Sequence, residues 1–235
     1  MIGLATLDAL IRRWKRRARM ANGYGIDVSR HQGAIDWPKV DAAWAYVKAT
    51  EGVGFVDRMF GRQISIDPSL PEHLRASGPL LGAYHFARID TGRNAQDDAR
   101  NECEFFWATI EPARLPLRPA LDVELGGIKR RDASYCREWW EAAIERMIEL
   151  TGQPPVIYTG RWTIQWAFRG APLPPWLTRC PLWWAEYCAP HGPRHVPPGW
   201  RLAAWQHTAR GRCPGVRGDV DLNLPGPAVG SLLAR

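Results

Sequence analysis

The chain has no CxxC pair, and its five cysteines, Cys103, Cys136, Cys180, Cys188 and Cys213, do not combine with its histidines at zinc-finger spacing. A structural zinc site of that kind is excluded. An odd number of thiols cannot pair completely, and 235 residues bury a core without disulfides, so mostly reduced or buried thiols are expected, with one or two bridges open in an oxidising compartment. No apolar run reaches the roughly 18 residues of a membrane span, and the N-terminal stretch lacks the apolar centre of a signal peptide. Synthesis in the cytoplasm without Sec export is therefore expected. A phosphate-cradling glycine loop, an HExxH metal motif and a GxSxG nucleophile elbow are all missing, which removes the commonest phosphoryl, metalloprotease and serine-hydrolase chemistries. Neither an internal repeat nor a low-complexity linker divides the chain.

What the sequence does hold is aromatic and basic. Thirteen tryptophans supply flat apolar faces that fill cores or stack on sugar rings and bases, which favours a polymer-binding cleft. The net charge of +7 suits an anionic partner, but Arg12, Arg13, Lys15, Arg16, Arg17 and Arg19 carry nearly all of it. Together with Leu4, Leu7, Leu10, Ile11 and Trp14 at helical spacing, these residues predict a basic amphipathic helix over 1–21, suited to an anionic membrane through residues 4–20 or to a solvated arm. Asn22-Gly23 closes it. Outside that cluster the basic surplus nearly vanishes and no nucleic-acid motif appears, so no nucleic-acid partner is expected.

Downstream, strand-like runs recur at Gly25–Ser29, Trp44–Thr50, Leu80–Ala87, Pro119–Leu125, Val156–Thr159, Leu182–Glu186, Leu202–Gln206 and Val220–Leu222. Helical segments are predicted at Pro71–Ala76, Ala95–Ile110, Ala133–Leu150 and Trp162–Phe168, with Gly152 as a C-terminal stop. The first half alternates strand and helix as parallel α/β units do, whereas connections beyond Phe168 are rich in proline. Eight strands suit a closed barrel, whose chemistry gathers at the C-terminal strand ends. Those ends are polar or aromatic: Asp27, Lys48 to Glu51, Tyr84 and His85, Asp122 and Glu124, Tyr158, Trp184 and Glu186, Trp205 and Gln206, and Asp221.

Asp122 and Glu124, two apart in Ala120-Leu121-Asp122-Val123-Glu124, share one face and perturb each other's proton affinity, as acid/base pairs do. The bland alternative is a solvated acidic edge. Asp27, in the first strand, is costly to bury unless it lies in a polar cleft. His85 reads equally well as a core histidine or a ligand contact, and of Trp183 and Trp184, on alternate faces, one belongs to packing.

In order, Gly25-Ile26-Asp27-Val28-Ser29, His31-Gln32-Gly33, Ile35-Asp36-Trp37, Val47-Lys48-Ala49-Thr50-Glu51-Gly52, Gly82-Ala83-Tyr84-His85-Phe86, Leu121-Asp122-Val123-Glu124, Val156-Ile157-Tyr158-Thr159, Leu182-Trp183-Trp184-Ala185, Trp205-Gln206 and Val220-Asp221-Leu222-Asn223 resemble glycoside hydrolase family 25, the N-acetylmuramidase lysozymes. The resemblance implies an α/β fold: an irregular TIM-like barrel of five β/α units and three further strands, a single catalytic domain over 22–226 with a C-terminal tail at 227–235. It implies hydrolysis of the β-1,4 bond between N-acetylmuramic acid and N-acetylglucosamine in peptidoglycan, without metal or cofactor. The family's acidic constellation falls on Asp27, Asp122, Glu124 and Asp221, with Glu124 as general acid. Tyr84, His85, Tyr158, Trp184, Glu186, Trp205 and Gln206 are the expected substrate contacts. His207 stands where the family usually has tyrosine after Trp-Gln. A monomer resembling a phage endolysin, made in a host cytoplasm and acting on the cell wall or periplasm, is expected. A secreted bacterial or fungal enzyme is the competing source, and a non-catalytic wall-binding barrel or a nucleic-acid-binding protein the competing function.

Overall fold

A computed structural model describes residues 12, 15–53, 56–57, 62–63, 65–89, 94–128, 132–187 and 191–234. The strands are β1 (Gly25–Val28), β2 (Trp44–Glu51), β3 (Val56–Asp57), β4 (Arg62–Gln63), β5 (Leu80–Phe86), β6 (Ala120–Asp122), β7 (Val156–Gly160), β8 (Leu182–Ala185), β9 (Leu202–Gly211) and β10 (Val220–Pro225). Eight of them close a barrel in the order β1-β10-β9-β8-β7-β6-β5-β2, and β3 and β4 form a separate two-stranded ribbon. All barrel neighbours run parallel except β10, which is antiparallel to both β9 and β1. The α-helices are α1 (Leu70–His73), α2 (Ala95–Ile110), α3 (Ala133–Thr151), α4 (Arg161–Phe168) and α5 (Pro175–Thr178).

Local chemistry explains these elements. Strand β2, covered on both faces, is buried at every position, which is why it reads as a nearly unbroken apolar run. Asn94 caps α2 by accepting from the amides of Gln96 and Asp97, and Asp132 caps α3 by accepting from Ser134 and Tyr135. Gly152, at φ 71°, ends α3 in the left-handed conformation that glycine adopts without strain. One core lies between helices and barrel wall, with Phe106, Trp139, Trp140, Ile144 and Trp184 in it. The other fills the barrel interior, where Trp44, Tyr46 and Trp183 meet; a Cβ at Gly25 would overlap the Trp44 ring and one at Gly82 the Tyr46 ring.

Several predicted boundaries shift. Between β1 and β2, where no helix is predicted, the chain makes two 3-10 turns (Arg30–Gln32 and Trp37–Lys39). The helix expected at Pro71–Ala76 is the single turn α1, and β9 and β10 run on past their predicted ends because they zip together as an antiparallel pair. At the N-terminus, residues 15–22 are helical, and the rest of the predicted basic helix, apart from Arg12, lies outside the described residues. Met20 is fully buried and packs with Trp44, Leu117, Val229, Leu232 and Leu233. The ends of the chain thus seal the bottom of the barrel, so the boundaries drawn at 21/22 and 226/227 are crossed by core packing. Cys103, Cys136, Cys180 and Cys213 are free and buried, and Cys188 lies outside the described residues.

Candidate active site

At the C-terminal end of the parallel strands a cavity of about 380 Å³ opens, lined by Asp27, Asp122, Glu124 and Asp221 among others. Strand direction accounts for the meeting: β10 runs opposite to β1, so Asp221, near its start, pairs directly with Asp27, near the end of β1. Beyond β6 the Val123 amide still donates to the Tyr158 carbonyl (3.0 Å), and Glu124 follows in extended backbone, so Asp122 and Glu124 project to the same side. Among the described residues no group of three or more His, Cys, Asp and Glu side chains is arranged to hold a metal ion.

Asp27 is held on both oxygens. Asn223 donates to Oδ2 at 2.7 Å, and the Gln206 amide donates to Oδ1 at 3.2 Å and Oδ2 at 3.0 Å. Asn223 accepts from the Trp183 indole at 2.6 Å, while Gln206 accepts from the Tyr158 and Tyr187 hydroxyls at 2.8 and 2.6 Å. Trp183 is itself stacked on Tyr46, with ring centroids 4.9 Å apart. Two aromatic hydroxyls, two amides and an indole thus fix one carboxylate.

The four carboxyls all bind protons more tightly than usual. Burial pushes Asp27 up to about 6, against the bonds from Asn223 and Gln206 and with Glu124's charge adding to the rise. Asp221 is driven up to about 8 by burial, then by Asp27 and Glu124. Burial also raises Glu124, opposed by Arg88 and Lys48. Asp122 rises well above the carboxylate range, first through burial and then through Glu124, and its Oδ1 has no hydrogen-bond partner among the described residues. Asp122 (8 % exposed) is the more enclosed of the pair and Glu124 is half-buried.

Beside the pair sits a cationic network absent from the strand's own sequence. Lys48, buried on β2, is ion-paired with Glu51, and Arg88 pairs with the same carboxylate, donating from Nε at 2.8 Å. Burial acts to raise Glu51, but the two cations win and hold its carboxyl below the usual value. The Lys48 ammonium and the Arg88 guanidinium also lie over the Phe86 ring, at 4.9 and 4.7 Å from its centroid.

Of the residues expected to contact substrate, Tyr84, Tyr158 and Gln206 line the cavity. His85, Trp184 and Trp205 do not. His85 is fully buried against Phe106, bonded through Nδ1 to Thr50 (2.7 Å) and through Nε2 to Glu102 (2.6 Å), because its place on β5 faces the helix layer. Trp184 faces outward from β8 into the outer core, and the aromatic that faces the cleft is its neighbour Trp183. Trp205 packs in the same outer core and donates to the Glu186 carbonyl at 2.7 Å. Glu186 borders an adjoining groove, but its oxygens are taken by the Trp184 indole, the amides of Arg194 and His195, and the His195 ring. Burial acts to raise it, and these donors outweigh that and hold it at about 2. It braces the 194–195 segment.

Lys48, Trp183, Tyr187 and Asn223 were missed as site residues. A lysine inside an apolar strand and an asparagine two after Asp221 are legible signals, whereas nothing in the sequence marks Tyr187.

Residues 26–216 match the model of the family described as Glycosyl hydrolases family 25. Lysozyme M1 of Streptomyces globisporus is 32% identical over 223 residues, covering 89% of this chain and 70% of that protein. Uncharacterized protein YegX of Escherichia coli K12 is 30% identical over 219 residues, covering 90% and 72%. The crystal structure of the bacterial lysozyme from Streptomyces coelicolor superposes with a TM-score of 0.68 at 27% identity, over 89% of this chain and 94% of that one.

Proposed function

The chain belongs to glycosyl hydrolases family 25, and from that premise we propose how its carboxylates divide the work of a peptidoglycan-hydrolysing muramidase. The protein is a glycoside hydrolase, and the bond it cleaves is the β-1,4 link between N-acetylmuramic acid and N-acetylglucosamine. The observation that carries the assignment of roles is the convergence of Asp122 at the end of β6 and Glu124 just beyond it with Asp27 and Asp221 in one cleft.

Glu124, half-exposed at the cleft wall, is the general acid that protonates the glycosidic oxygen. The pair cannot readily carry two charges, since burial raises both carboxyls and the charge of Glu124 raises Asp122 further, so one proton is shared between them. Burial favours the neutral form of Asp122, the more enclosed partner. The unpartnered Oδ1 of Asp122 is suited to accept the N–H of a substrate 2-acetamido group, which requires the carboxylate form. Substrate binding then drives the shared proton onto Glu124, where it is needed. The oriented acetamido oxygen attacks the anomeric carbon from within the substrate, and water opens the resulting ring with retention of configuration. Lys48 offsets the charge on Asp122, while Asp27 and Asp221 position sugar and water. Tyr84, Tyr158 and Gln206 contact the glycan.

Digestion of purified peptidoglycan with mass analysis of the products tests the activity: muropeptides ending in a reducing N-acetylmuramic acid are expected. Products ending in N-acetylglucosamine, or none, overturn it.

The finer biology follows the same reading. Lys15, Arg16, Arg17 and Arg19 are exposed on a helix whose Met20 is anchored under the barrel, which supports contact of the basic stretch with an anionic membrane. Outside the cleft and its adjoining groove, the exposed large hydrophobics among the described residues are Val53, Ile66 and Leu224, too few for an apolar interface, which supports a monomer. On this reading the enzyme is made in a host cytoplasm and reaches the wall or periplasm as a phage endolysin does.

A further inference from the structure

Past Glu124, Tyr158 and Tyr187 the cleft continues into a second groove of about 470 Å³ whose chemistry differs from that of the acidic cavity. Its wall is the start of α4, where Trp162 is 70 % exposed, and Tyr187 opposite is 48 % exposed. Single exposed aromatics are common on any surface. These two face one groove continuous with the reacting bond, and the Arg161 guanidinium lies over the Trp162 ring at 5.3 Å.

Arg161 is held but not neutralised. Its Nη1 donates to His195 Nε2 at 2.9 Å, and His195 Nδ1 meets Glu186 Oε1 at 2.8 Å. In the tautomer with its proton on Nδ1, the imidazole accepts from the arginine at Nε2 and donates to Glu186 at Nδ1. Glu186 is thereby engaged one ring away from the guanidinium, and no carboxylate reaches Arg161 directly among the described residues. Among the described residues its buried Nε has no hydrogen-bond partner. The first turn of α4, with no side-chain cap from Gly160, adds the partial positive charge of a helix start to the same wall.

A guanidinium with unused donors beside an open indole face matches a carboxylate carried next to a sugar ring. In peptidoglycan such groups hang from muramic acid: the lactyl ether itself, or the peptide stem attached to it. We infer that the Arg161–Trp162 groove binds the carboxylate-bearing substituent of a muramoyl residue flanking the cleaved bond, an inference that rests on the muramidase reading above. Glu186 and His195 act as positioning residues that hold the guanidinium in place.

The test compares three defined glycan oligomers: one with stem peptides bearing free carboxylates, one with the same peptides amidated, and one stripped of peptide so that only the lactyl carboxylate remains. For wild type, kcat/KM is expected to favour a free-carboxylate substrate over the amidated one by about tenfold, through KM and more strongly at low salt. In Arg161→Gln that ratio is expected to fall toward one, with partial recovery in Arg161→Lys, and Trp162→Ala is expected to raise KM. Preference for the stem or for the lactyl substrate identifies which carboxylate is held. Equal cleavage of all three substrates by wild type overturns the inference, as does an Arg161→Gln variant that loses activity on all three alike. Failure of wild type to release fragments from any substrate would instead sink the muramidase reading.

Discussion

Asp27 on β1 and Asp221 on β10 are direct cross-strand partners in the antiparallel pairing that closes the barrel. Like charges placed opposite one another destabilise a sheet, so the barrel is least stable where it is chemically most useful. Stability given up at a site is often recovered when the offending charge is removed.

The sign of the resulting pH dependence follows from Asp221, whose carboxyl is pushed up to about 8. The folded state then holds a proton that the unfolded chain releases near its ordinary value. This contribution to stability is complete below about pH 4 and is lost as pH rises through about 8. Asp221→Asn is therefore expected to raise Tm at pH 8 by about 2–4 °C, corresponding to roughly 1 kcal/mol in a chain of this size, with little gain at pH 4. Activity should fall at the same time. Calorimetry across that pH range is the check, and a lower Tm at pH 8 would contradict the argument.

Glu124→Gln is expected to lower kcat by about 10²–10⁴ with glycan affinity kept, since a general acid contributes on that scale. Asp122→Asn should be somewhat less severe, because the amide still touches the acetamido group but cannot stabilise the charge that develops there. A variant Glu124→Gln with wild-type turnover removes the assignment. An NMR time course in which the opposite anomer appears first removes the retaining route.

Lys48→Met leaves Glu51 with Arg88 alone and takes a cation away from Asp122. The shared proton is then bound more tightly. The basic limb of the pH–activity profile should move to higher pH, and Tm should fall, because a buried carboxylate loses a partner. An unshifted profile at lower Tm would mean that Lys48 serves packing only.

Trp184→Ala and Trp205→Ala are expected to cost about 3–5 kcal/mol of stability with little change in KM per folded molecule, as core truncations do. Trp183→Ala should cost stability and, in addition, weaken glycan binding, since it removes the cleft floor and frees Asn223 from its indole donor. Comparable KM effects at all three positions would count against this division.

The tryptophans mark where sequence stops being informative. Period-two alternation establishes that Trp183 and Trp184 face opposite sides, but both sides of a barrel strand are buried, so apolar character cannot say which side is the cleft. The carboxylates were legible because charge is costly to bury away from a polar site, which leaves Asp27, Asp122, Glu124 and Asp221 few places to go. Lys48 escaped notice for the converse reason: its partner Glu51 is close in sequence, but its effect on Asp122 passes across β5 through strand pairing that only the closed barrel defines. His85 was undecidable by pattern, and its bonds to Thr50 and Glu102 are three-dimensional facts. The barrel itself was readable from eight runs and their connections, though not the 3-10 crossing after β1 or the plug formed by the chain ends.

That plug alters what a truncation before Asn22 should do. The sequence suggests a dispensable arm, but Met20 is fully buried with Trp44, Leu232 and Leu233, so its removal leaves a cavity worth about 2–5 kcal/mol. Truncation is expected to lower Tm and to reduce hydrolysis of soluble fragments and intact cells together at elevated temperature. Membrane contact needs a different variant. Lys15, Arg16 and Arg19 are exposed, so replacing all three with glutamine should leave Tm and hydrolysis of soluble fragments within experimental scatter while reducing co-sedimentation with anionic phosphatidylglycerol vesicles. Undiminished sedimentation of the triple variant would remove the membrane role, and an unchanged Tm after truncation would mean that the barrel closes without its plug.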